Sequence, residues 1–226
     1  MSKFSGFPED LLKFLEDLAR NNNREWFTEN KERYRESVVT PVIDFINAIA
    51  EPLNMISDSF VADPRLNGGS MFRIYRDTRF AKDKRPYKEN VGCQFRHTAG
   101  KSAHAPGFYV HIHPENVFVG GGIWMPPNPV LQQIRTAIVE HDEEWSQIIN
   151  SAENFSFESE RLKLPPRGFE AEHPLIDDIK RKSFFLKRNI TPTDILEPEF
   201  LDMTVQAFKD AAPLMRFITK AMGLDF

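Results

Sequence analysis

Between Arg73 and Lys88 the chain places seven cations, Arg73, Arg76, Arg79, Lys82, Lys84, Arg85 and Lys88, against only Asp77 and Asp83. Side chains of these types hold phosphate and carboxylate groups: Arg presents a planar fork of N–H donors and Lys a point charge. Phe80, Pro86 and Tyr87 interleave with the cations and offer apolar anchors. A second set lies in Phe108–His113, where strand alternation puts Tyr109, His111 and His113 on one face and Phe108, Val110 and Ile112 on the other. An imidazole beside a bound anion can serve as acid or base, which makes His111, with His104 just upstream, the candidate catalytic group. The candidate ligand-binding residues are Arg73, Arg76, Arg79, Lys84, Lys88, Tyr109 and His111.

Two other readings compete for the basic run. Asp77 and Asp83 are spaced to lock it into a salt-bridged scaffold, since partly buried ion pairs fix geometry while adding little net stability. Alternatively, the loop docks nucleic acid or an acidic protein. The formal net charge of −4 and the isoelectric point near 5.9 argue against nucleic-acid binding driven by bulk charge, though a local basic face remains compatible with them. His111-x-His113 is half of a metal site, but Glu115 follows too closely to complete it. Neither a metal nor a cofactor is expected. The chain has no G-x-S-x-G elbow, no Walker loop and no dinucleotide-binding fingerprint, so no reaction is named by motif. Gly120-Gly121-Gly122 leads into Trp124 and Pro126-Pro127, which suits close packing better than a phosphate cradle.

These residues need elements to hold them. Leu11, Phe14, Leu15 and Leu18 form a helical stripe after Pro8, and Asn21–Asn23 ends it. Asn23 can cap a second helix from Arg24 to about Ser37, and a third runs from Thr40 to about Ile56. Met71–Tyr75, Val91–His97, Gly107–His113 and Asn116–Gly121 read as strands, the last two as a hairpin turning at Pro114-Glu115. Helices return from Pro129 to His141, capped by Asn128, and from Glu143 to Asn150. A short helix is expected at Leu175–Lys182, and Ser183–Ile190 is a further strand. The last helix, Pro198–Met222, carries Pro213 and is expected to bend there. The expectation is one α+β domain over residues 1–226: helical over 8–56, strand-rich over 70–122 and helical over 128–226. Its twisted antiparallel sheet would have about four to six strands, flanked by N-terminal and C-terminal helices.

At 226 residues the chain buries enough surface to need no disulfide or metal staple, and the single Cys93 allows no intrachain bridge. No apolar run reaches the roughly 20 residues of a membrane helix, and the N-terminus lacks a signal-peptide core. A cytoplasmic protein without membrane contact is expected. Its partner would be an anionic small molecule, with nucleic acid less favoured; the oligomeric state is left open.

The stretches GSMFRIYRDTRFAKDKRPYK, GFPEDLLKFLEDLARNNNREWFTENKERY, APGFYVHIHPENVFVGGGIW, PPRGFEAEHPLI and APLMRF together resemble a conserved family known as domain of unknown function 2461. The resemblance runs from Gly6 to about Phe217. It implies no activity of its own. At His113 the family pattern more often has an acidic residue, which argues against an obligate metal ligand there.

Overall fold

A computed structural model of the chain describes residues 4–100, 105–157 and 159–226. Its element order is α1 (Glu9–Arg20), α2 (Arg24–Glu29), α3 (Lys31–Tyr34), a π-helical turn at Arg35–Val39, α4 (Thr40–Ile56), β1 (Val91–Arg96), β2 (Gly107–His113), β3 (Asn116–Ile123), α5 (Asn128–Glu140), α6 (Asp142–Ser151), β4 (Ser156–Phe157), α7 (Ile176–Ile179), β5 (Phe184–Ile190) and α8 (Phe200–Ala221). The strands form a five-stranded antiparallel sheet in the order β1-β2-β3-β5-β4. This is the α+β architecture expected from the hydrophobic patterning.

The helical stripe of α1 buries Leu11, Phe14, Leu15 and Leu18. The Asn23 side chain accepts from the Trp26 backbone N–H at 3.0 Å and starts α2. That helix breaks at Asn30, so the expected continuous helix to Ser37 is two short ones joined to α4 by the π turn. Three other local expectations are corrected. Met71–Tyr75 is not a ladder-forming strand; it makes isolated bridges, Met71 opposite Cys93 and Tyr75 opposite Tyr87. Asn128 is the first residue of α5 and its side chain does not cap the helix, because Pro127 holds the extended cap position. The short helix within Leu175–Lys182 spans only Ile176–Ile179. The sheet also gains β4, a two-residue strand paired with β5 and too short to leave a periodic signal.

One face of the sheet is the core face. Phe108, Val110 and Ile112 point from β2 toward α8, where Phe208 stacks on Phe108 with ring centroids 4.7 Å apart and meets Phe95 edge-on at 5.7 Å. Gly121 lets α8 approach: a Cβ there would lie 3.2 Å from the Met215 sulfur. Trp145 is fully buried between Phe184 and Phe217 and donates its indole N–H to Asp178 at 2.9 Å. At the N-terminal end, Phe7 packs on Phe45 and Phe200. Among the described residues, no helix is long and apolar enough to cross a membrane.

Candidate functional site

The opposite face of the sheet carries a cavity of about 420 Å³. The strand registers show how it arises. One row across the sheet runs Gly92, His111, Phe118; the next runs Gln94, Tyr109, Gly120, Lys187; a third runs Arg96, Gly107, Gly122, Phe185. Directly opposed residues share a face, so the middle of these rows, at Gly107, Gly120 and Gly122, has no side chain to fill the space. Gly120 and Gly122 are also fixed by close packing: a Cβ would lie 1.9 Å from the Leu186 carbonyl oxygen or 2.0 Å from that of Phe184. The hollow in β3 is therefore a consequence of how closely it lies on β5.

Aromatic rings wall the hollow. Phe118 stacks on the His111 ring at 4.6 Å and 11°, Phe185 meets Phe118 edge-on at 6.4 Å, and Phe72 lies 6.0 Å from Tyr109. Trp124, half exposed, stands at the rim. The rim backbone is unusual: Met125 has φ of 45°, uncommon outside glycine, and its N–H is held by the Ser183 hydroxyl at 2.9 Å.

Beside Gln94, three polar groups converge on this apolar lining. Tyr109 Oη lies 3.3 Å from His111 Nδ1. Burial pushes the Tyr109 phenol up, with Cys93 beneath it adding to the shift. Burial also lowers His111 to about 4, helped by the neighbouring charges of His113 and Lys187. The pair is therefore neutral near pH 7; with the phenol donating to Nδ1, the imidazole carries its proton on Nε2. Lys187 places its ammonium over the Phe118 ring, 4.8 Å from the centroid.

The basic run is arranged differently from the cavity. Arg76 and Arg85 both donate to Asp83, at 2.7 and 2.9 Å, and Arg85 also pairs with Glu89. Arg79 grips Asp77 at 2.7 and 3.0 Å, and its side-chain hydrogen bonds hold that carboxyl down to about 2. Lys84 donates to the Thr78 carbonyl at 2.9 Å. Asn22, at the helix junction, clamps the loop from outside: its amide donates to the Tyr87 carbonyl and to Glu89, and its oxygen accepts from the Tyr87 N–H. Phe80 at the tip is almost fully exposed.

Residues 10–217 match the family model described as conserved hypothetical protein (DUF2461). The chain belongs to this family. No curated protein matches the chain.

In this DUF2461 member, the structure brings Tyr109 and His111 together in the cavity. It keeps Arg76, Arg79 and Lys84 in the loop, outside the lining. Arg73 is exposed and lines a separate groove against α2–α4, while Lys88 sits above Phe72 at the cavity's edge. His104 lies outside the described residues. His113 accepts from the Glu115 N–H at 3.2 Å and so caps the hairpin turn. Among the described residues, no three His, Cys, Asp or Glu side chains gather as a metal site would require. Cys93 is buried, and burial pushes its thiol up to about 12. Phe118, Trp124, Phe185 and Lys187 are the lining residues without a sequence signal of their own.

Proposed function

We propose that this chain binds a small anionic molecule with a flat apolar body in the sheet-face cavity. The observation that carries the reading is the lining itself: aromatic walls around a glycine floor, with the Tyr109–His111 pair, Gln94 and Lys187 as the polar side chains among the described residues. The volume, about 420 Å³, falls in the range of small-molecule sites, roughly 300–1,000 Å³. Aromatic faces favour flat partners by offset and edge-on stacking. Lys187 supplies a point charge for a carboxylate or phosphate. The neutral Tyr109–His111 pair supplies directional hydrogen bonds without competing charge. Walls this apolar favour an aromatic or alicyclic carboxylate over a phosphosugar, whose hydroxyls would lose water without replacement.

Binding is a better reading than turnover. A histidine lowered to about 4 is a weak base at neutral pH, far from the pKa that efficient proton transfer uses. The paired loop of Arg76, Arg79, Lys84 and Arg85 acts as a brace in this reading rather than as a docking ridge. A thermal-shift panel of aromatic carboxylates and sugar phosphates tests it. Aromatic carboxylates should raise the melting temperature of the wild type and of Arg76→Ala. They should fail to do so for Lys187→Met and Trp124→Ala. Loss of the shift in Arg76→Ala with retention in Lys187→Met would refute the assignment.

A further inference from the structure

The face that carries the cavity continues past Phe72. Tyr75 opposes Tyr87 and Met71 opposes Cys93, so stepping one residue along each antiparallel pair places Ile74 across from Lys88 and Phe72 across from Gly92. The Lys88 N–H to Ile74 carbonyl bond at 2.7 Å and the Phe72 N–H to Gly92 carbonyl bond at 2.8 Å fix both steps. Opposed residues share a face, so Phe72, Gly92 and His111 look toward the same side. The Lys88 ammonium itself sits over the Phe72 ring, 5.2 Å from its centroid, where Phe72 is a cavity wall.

Among the described residues Arg73, Lys82 and Lys88 of the run make no ion pair, and of these three only Lys88 is half-buried. Arg76, Arg79 and Arg85 each have a carboxylate within 2.8 Å, and Lys84 has a backbone carbonyl. Lys88 is half-buried, yet among the described residues it makes no ion pair. Burial lowers its pKa, and the nearby Arg73 charge lowers it further. A partly desolvated ammonium beside a second cation carries an electrostatic cost that a bound anion relieves. The acids of the loop, Asp77, Asp83 and Glu89, pair with its arginines instead.

Resting on the cavity reading above, we infer that Lys88 is a second anion contact at the Phe72 end of the cavity, so that the ligand carries two anionic groups joined by a flat apolar body. Lys187 sits over Phe118 and Lys88 over Phe72. Those rings stand on strand lines three spacings apart, roughly 14 Å, which the flexible lysine stems shorten. A rigid two-ring diacid suits that span.

Isothermal titration in a phosphate-free buffer tests this with biphenyl-4,4′-dicarboxylate and biphenyl-4-carboxylate as probes. The wild type should bind the diacid at least tenfold more tightly than the monoacid. Lys88→Met keeps an unbranched apolar stem on Phe72 and removes the charge. It should bring the ratio close to one and leave the monoacid affinity within about twofold, which also reports that the cavity is intact. A diacid preference that survives in Lys88→Met, or no preference in the wild type, overturns the inference while leaving monoacid binding in place. Failure of both probes to bind the wild type overturns the cavity reading, and this inference with it.

Discussion

His111 should make the protein acid-sensitive in a way that a single substitution removes. Burial against Phe118 and Tyr109 lowers its pKa from about 6.5 to about 4. Between these values the unfolded chain takes up a proton that the folded chain resists. The stability tied to neutral His111 is therefore present above the unfolded value and is lost as the pH falls toward the folded one. Going from about pH 7.5 to about pH 4.5, proton linkage gives a loss of about 2.6 kcal/mol for this one group. The ring is only half-buried, and solvent screening reduces the expected loss to about 1–2 kcal/mol. Urea unfolding of the wild type and of His111→Gln at both pH values isolates it, because all other titrations are common to the two proteins. With a urea slope of about 2–3 kcal/mol/M, the wild-type midpoint should fall by about 0.5 M more than that of the variant. Equal losses in the two proteins would refute a desolvated, neutral His111.

Two further perturbations probe the frame around the cavity. Phe208→Ala removes the ring stacked on Phe108 and edge-on to Phe95, and should cost about 3–5 kcal/mol in chemical denaturation; a loss below about 1 kcal/mol would mean that α8 does not pack as described. Asp83→Asn removes the carboxylate shared by Arg76 and Arg85, and should speed limited tryptic cleavage at Arg79 and Lys82 without lowering the melting temperature appreciably. Unchanged cleavage would show that the ion pairs do not brace the loop.

How much of this could be read from residues alone depends on the reach of each interaction. Period-two alternation marks Tyr109 and His111 as neighbours on one face, and the structure joins them at 3.3 Å. The two-residue spacing of Asp77 and Arg79 makes their pairing local. Lys187 carries no such mark. It reaches the cavity only because β5 pairs with β3, opposite Gly120, and that register depends on the glycine hollow. Asn22 likewise contacts Tyr87 and Glu89 across 65 and 67 residues of sequence. The seven cations of the run look alike in composition; only the fold decides which of them receive carboxylates. The helices were legible as stripes, yet the break at Asn30 and the π turn at Arg35–Val39 were not, because helical periodicity continues through both.

The most direct test of the account is backbone and indole amide NMR during titration with biphenyl-4-carboxylate. The cavity reading predicts shift changes concentrated at Phe72, Tyr109, His111, Gly120, Phe185, Lys187 and the Trp124 indole. Changes concentrated instead at residues 76–85, or saturation without any change at the Trp124 indole, would contradict it.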